Sequence, residues 1–227
     1  MKKCWCIPPE HNAAFVAAME DVLSVYSRPY NEKRPVICMD EKPVQLFASA
    51  RKSIRSKDGR TTYEDNEYIR NGTASIFLFT EPLNGVRYAD AQEHRTREGW
   101  AKQIEWLLTE QYPDAEKVVL VMDNLNTHSI ASLYQIFTPE KAFNLASRLE
   151  IHYTPKHGSW LDIAEIELSA LVRQCIGKER IPDLETLRSL LKSWYIDRNN
   201  KQRGVEWHFT TSDARTKLKH LYPIISI

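Results

Sequence analysis

The chain has 227 residues, a formal net charge of +1, 42% hydrophobic and 27% charged residues. That length suits one well-buried domain with appendages. The near-neutral balance excludes a global polyanion-binding surface, so any nucleic-acid contact must come from local patches, and no apolar run approaches membrane-spanning length.

Residues 1–9 begin no domain, and Lys2 and Lys3 have no apolar core behind them, so a secretory signal is not expected. Cys4 and Cys6 are separated by one residue, not two, which fits neither a zinc ribbon nor a redox pair. Cys38 in an apolar strand and Cys175 near a helix end read as reduced core residues, so a cytoplasmic protein without disulfides is expected.

From Glu10 to Tyr26, apolar residues Phe15, Met19, Val22, Leu23 and Tyr26 recur at helical spacing. Residues 35–47 read as a strand with an acid pair, Asp40 and Glu41, inside it. A carboxylate in mid-strand is paired, metal-bound or turned outward, because burying it alone is costly. Pro43 lends weight to an edge or irregular strand. Residues 48–66 carry Arg51, Lys52, Arg55, Lys57 and Arg60 among small polar residues and read as a basic loop, either solvated or a phosphate contact.

Residues 74–80 and 86–91 read as two strands joined by a turn containing Asn84-Gly85. Residues 95–112 are helical, with Trp100, Ile104, Leu107 and Leu108 on one face. Val118 to Met122 is a continuous aliphatic run and reads as a strand buried on both faces. It delivers Asp123 and Asn124 at its carboxyl end, where open α/β sheets place ligands and catalysis. Asp123 is either a site residue or a turn aspartate capping the next helix.

Helices are expected over 130–137 and 140–148, a strand over 149–153 and a loop over 154–159. Two amphipathic helices follow, over 160–176 and 182–197, and Thr211/Ser212 are expected to cap a final short basic helix. Three early strands and then β–α alternation predict a ribonuclease-H-like α/β fold, a mixed sheet with helices on both faces. The expected domains are residues 1–34 as a linker and helix, 35–198 as the catalytic domain and 199–227 as a basic C-terminal extension.

Three acids stand where such a sheet brings elements together: Asp40 in the first strand, Asp123 after the fourth, and an acid in the helix after the last strand. Within that helix Asp162, Glu165 and Ser169 share one stripe, while Glu167 points away. Ser159 and Asp162 also fit an N-terminal capping box, with Ser159 as the cap. Asp162 is therefore either a capping residue or a ligand, and Glu165 is preferred. Three carboxylates brought together repel unless cations intervene. Hard oxygen ligands without His or Cys partners suit Mg²⁺ or Mn²⁺, not zinc, and two such ions about 4 Å apart support phosphodiester cleavage.

The stretches CMDE, VLVMDNLNTH and IHYTPKHGSWLDIAEIELSAL resemble the three catalytic blocks of bacterial insertion-sequence DDE transposases of the mariner superfamily. YIRNGTASIFLF, IPDLETLRSLLKSW and WHFTTSDARTKLKHLYP resemble the same family, so the likeness runs from about Trp5 to Pro223. The resemblance implies an Asp40–Asp123–Glu165 triad holding two Mg²⁺ or Mn²⁺ ions, with Asn124 and His128 in support. It implies DNA cleavage at element ends and strand transfer into target DNA, typically at TA, by a homodimer or synaptic oligomer in the bacterial cytoplasm at the nucleoid.

Lys156 and His157, beside a helix N-terminus, are expected to approach a DNA phosphate. Arg51, Lys52 and Arg55 fall where mariner-like enzymes place a clamp loop and are expected to contact DNA or a second subunit. Where the family often has an amide, this chain has Asp162. Helix-turn-helix modules usually precede the family's catalytic domain, and residues 1–34 are expected to be what remains of that connection. The rival readings are another ribonuclease-H-like metal nuclease, an inactive or regulatory fragment that dimerises with a full-length enzyme, and an Asp-centred phosphoacceptor domain.

Overall fold

A computed structural model describes residues 12–52, 54–58, 60, 62–63, 65–177, 180–201 and 204–224. Cys4 and Cys6 lie outside the described residues. Five strands form one sheet in the order β5-β4-β1-β6-β7. They are β1 (Val36–Ser49), β4 (Tyr68–Glu81), β5 (Val86–Gln92), β6 (Val118–Met122) and β7 (Leu149–Tyr153). β5, β4 and β1 form an antiparallel meander, and β6 and β7 add to β1 in parallel. This is the mixed sheet of a ribonuclease-H-like fold.

Strand alternation assigns the two faces. Ile37 and Met39 of β1, with Val118, Leu120 and Met122 of β6, pack under α2 (Arg97–Trp106), α3 (Ile130–Ile136) and α4 (Pro139–Ser147). Cys38, Val119 and Val121 point the other way, against α1 (Ala13–Tyr26), the start of α5 (Ile163–Leu171) and α7 (Thr211–Lys217). A third cluster joins β4 and β5 to α5 and α6 (Leu184–Asn200). Each strand of the central pair is thus covered on both sides, which explains the unbroken apolar run of β6.

β1 is the central strand, not an edge. Its pairing with β6 stops at Met39↔Met122, whereas its pairing with β4 runs on to Ser49↔Tyr68. Pro43 sits in that second half, where no β6 residue asks for its missing N–H.

The basic loop 48–66 is partly structured: β2 (Ile54–Arg55) and β3 (Thr62–Tyr63) pair as a small hairpin. α2 and α5 each end in a π-helical turn, Leu107–Gln111 and Val172–Ile176. α1 is docked on the domain: Asn12 N–H donates to the Leu221 carbonyl at 2.9 Å, and Arg215 of α7 pairs with Glu20 at 2.8 Å. No helix among the described residues is long and apolar enough to cross a membrane.

Candidate active site

β6 ends at Met122 while β1 runs on, which opens a crevice at the carboxyl edge of the parallel strands. The register carries Asp40 and Asp123 out of the last paired residues side by side. Asp40 continues the face of Cys38, toward α1 and α5, and Glu41 continues the face of Met39, toward α2 and α3.

A cleft of about 950 Å³ lies there, and Asp40, Asp123, Asn124, Asp162 and Glu165 all line it. Lys156 and His157 also line it, as do Ala14, Phe15 and Ala18 of α1 and its N-cap Asn12. Asp40 and Glu165 also line a second cleft of about 490 Å³ with Lys42, Ser169 and Arg173, so these two acids stand on the ridge between two openings. Arg51, Lys52 and Arg55 do not line the cleft. Arg51 instead lies 3.3 Å from Asp65 and 3.7 Å from Glu67.

The structure corrects the capping assignment. Ser159 opens a 3₁₀ turn, Ser159–Leu161, and does not cap a helix. Asp162 is itself the N-cap of α5, its Oδ1 accepting from Ala164 N–H at 2.9 Å. Both residues are cap formers, and the choice falls to Asp162 because Leu161 and Ile163 bury into the core on either side of it. Asp162 caps the helix and faces the cleft at once. It is 5% exposed, and Tyr26 donates to the neighbouring Leu161 carbonyl at 2.7 Å.

The rim loop is tightly folded. Gly158 N–H donates to the Pro155 carbonyl at 2.9 Å, and a Cβ at Gly158 would come within 2.5 Å of the Pro155 ring. His157 adopts a left-handed backbone conformation, φ 67°, which side chains other than glycine rarely take.

Crowding shows in the acids. Burial pushes the Asp40 carboxyl up to about 6, and the charges of Asp123, Glu165 and Glu41 add to it against one hydrogen bond from Glu41 N–H. Burial raises Asp162 well above the usual carboxylate range, and Asp40 raises it further.

Beneath the cleft lies a constellation that sequence reasoning did not assemble. Glu41, with its side chain 1% exposed, hydrogen-bonds His128 Nε2 at 2.8 Å through Oε1, and its Oε2 lies 2.6 Å from Arg95 Nε as an ion pair out of line for a hydrogen bond. His128 is fully buried, stacked on Trp100, and its Nδ1 is 2.7 Å from Asp123 Oδ1, out of line for a hydrogen bond. Burial pulls the His128 pKa down, but its contacts with Asp123 and Glu41 outweigh that and lift it to about 9. Glu41 was visible as half of an acid pair. Arg95, two residues before α2, carried no signal at all.

A family model described as DDE superfamily endonuclease matches residues 35–188. The chain belongs to that family. DDE superfamily endonucleases cut phosphodiester bonds by phosphoryl transfer, and all four cleft acids of this one fall within the matched residues.

Solved structures of the mariner transposase Mos1 share its fold. The Mos1 paired end complex with Mn is 17% identical, with a TM-score of 0.58 over 89% of this chain and 61% of that one. The Mos1 strand transfer complex is 14% identical, with a TM-score of 0.63 over 100% of this chain and 67% of that one. The paired-end complex with the left transposon end is 17% identical, with a TM-score of 0.60 over 98% and 67%. The endonuclease chain thus spans between 61% and 67% of the length of these proteins. No curated protein matches it.

The donors that face the cleft are mainly carboxylate oxygens, hard ligands that suit Mg²⁺ or Mn²⁺ better than zinc. Among the described residues no three such side chains stand close enough together to hold one ion. The donor chemistry of this endonuclease fits such an ion.

Proposed function

We propose that this endonuclease domain is the catalytic core of a transposase. In this reading it cleaves DNA at the ends of a bacterial insertion sequence and joins the freed 3′ hydroxyl to target DNA, at TA sites. The observation that carries the proposal is the convergence of Asp40, Asp123, Asp162 and Glu165, from three separate elements, on one cleft at the carboxyl edge of a ribonuclease-H-like sheet. The fold likeness to Mos1 complexes with paired ends and with a strand-transfer arrangement supports it.

Asp40, Asp123 and Glu165, with Asp162 beside them, are the residues that would hold two Mg²⁺ or Mn²⁺ ions. When bound, such ions supply Lewis-acid stabilisation of charge on the phosphoryl oxygens and lower the pKa of the attacking hydroxyl. The chain's own contributions follow from geometry. β1 holds Asp40 and the end of β6 presents Asp123 beside it, and α5 fixes Asp162 and Glu165 one helical turn apart. Asn124 stands beside Asp123 at the cleft and can donate to a phosphate oxygen. Lys156 and His157 on the rim, and Arg51, Lys52 and Arg55 on the hairpin segment, are the proposed DNA contacts. A homodimer or larger synaptic complex on DNA, in the cytoplasm at the nucleoid, completes the reading.

The test is nicking of supercoiled plasmid, or of element-end DNA, with Mn²⁺. The wild-type protein nicks and Asp123→Asn does not. Equal nicking by both removes Asp123 from the mechanism. Joined products, which a resolvase does not make, separate transposition from simple cleavage.

A further inference from the structure

Two cationic arms connect the carboxylates of Glu41 and Asp123. One Glu41 oxygen, Oε1, meets His128 Nε2 at 2.8 Å, and His128 Nδ1 meets Asp123 Oδ1 at 2.7 Å. The other, Oε2, meets Arg95 Nε at 2.6 Å, and Arg95 Nη2 stands 4.0 Å from Asp123 Oδ2. Each oxygen of the buried acid thus addresses one oxygen of the cleft acid through its own side chain. We propose that Glu41 is the positioning residue of Asp123, setting the rotamer and carboxylate plane of the cleft acid through His128 and Arg95.

Glu41 is a fully buried carboxylate in a central strand, where an apolar residue would pack without penalty. Strand alternation turns it away from the cleft that its neighbour Asp40 faces, so it does not act there directly. Its two partners are held from other elements. Trp100 of α2 stacks on the His128 ring with centroids 6.1 Å apart, and Tyr153 of β7 donates to the His128 carbonyl at 3.0 Å.

Arg95 precedes the cap of α2, Thr96, which accepts from Gly99 N–H at 3.0 Å. The two arms therefore come from two different segments, the one before α2 and the one before α3. Asp123, by contrast, has left its strand, and its side chain is 34% exposed, so strand pairing does not fix it. A loop-borne acid that must meet a divalent cation within about half an ångström needs a support of this kind.

The inference rests on the assignment of Asp123 to the active site, and its test separates the two. Label the aspartate side-chain carboxyl carbons with ¹³C and assign the Asp123 signal by its loss in Asp123→Asn. In the cation-free protein, Glu41→Gln moves the Asp123 carboxyl signal while thermal melting shows a folded chain. Should Glu41→Gln fail to fold, Arg95→Gln, at a half-exposed position, removes one arm and gives a smaller displacement of the same signal. An Asp123 signal unmoved in the folded variant overturns the proposal.

Titration with Mn²⁺ by electron paramagnetic resonance is the second readout. Glu41→Gln weakens binding on the order of tenfold to a hundredfold, and kcat for nicking falls while KM for DNA holds. Mn²⁺ affinity unchanged in Asp123→Asn overturns the proposed function but leaves the carboxyl-signal test standing. Affinity lost in Asp123→Asn but wild-type in Glu41→Gln overturns the positioning role alone.

Discussion

Met39 of β1 pairs with Met122 of β6, so Asp40 and Asp123 emerge from two adjacent parallel strands at the same level. The parallel pairing ends at that point and the longer strand continues against β4 alone. The crevice and its first two acids are therefore one consequence of strand length. Asp162 and Glu165 come to the same place because β7 lies beside β6 and its loop returns to start α5 over the crevice.

The acids of the cleft oppose one another, so removing one charge stabilises the cation-free protein. Asp40 has a folded-state pKa of about 6, above its ordinary value. Its contribution to stability is complete below about pH 4 and is lost as pH rises through 6. At pH 7.5 in EDTA, Asp40→Asn is expected to raise Tm by roughly 2–5 °C, and nicking is lost. Differential scanning calorimetry checks it. A Tm at or below wild type contradicts the crowding.

The charges away from the cleft behave in the opposite way. Glu167 of α5 accepts two hydrogen bonds from buried Arg87, at 2.7 and 3.0 Å, and lies 3.4 Å from Arg198. Glu167→Ala leaves the Arg87 guanidinium buried beside a void. It is expected to cost about 3–5 kcal/mol, read from urea unfolding. A cost below about 1 kcal/mol would mean that Arg87 is solvated.

Glu150 of β7 supplies a pH signature of opposite sign. Burial raises its pKa, but bonds from Arg28, His152 and Arg34 overcome that and bring it to about 2. The stability it contributes is present above its ordinary value near 4.5 and is lost as pH falls toward 2. Glu150→Gln should therefore melt lower than wild type at pH 6, and the two curves should converge by about pH 2. Parallel curves would show that the cluster contributes nothing.

Much of this was legible in the chain. The apolar run Val118–Met122 and the strand 149–153 are where hydrophobic pattern places them, because both are short and bounded by turn residues. The first half of β4, Tyr68 to Thr73, was not, because its residues are exposed and its strand identity comes only from pairing with β1. The hairpin β2–β3 was hidden for the same reason, with Ile54 at 70% exposure.

At the site, carboxylates could be picked by topology, but capping could not be assigned between Ser159 and Asp162 by composition alone. The partners of Glu41 lie 54 and 87 positions further along the chain. No local spacing encodes such a contact.

The central claim is that the acids of residues 40, 123 and 162–165 share divalent cations. Iron-directed cleavage tests it most directly: Fe²⁺ with ascorbate and peroxide cuts the backbone near the bound ion, and mass spectrometry maps the ends. The account predicts cuts clustered near Asp40, Asp123 and Glu165, suppressed by excess Mg²⁺ and absent in Asp123→Asn. Cuts scattered over the surface, or confined to one of the three segments, would contradict it.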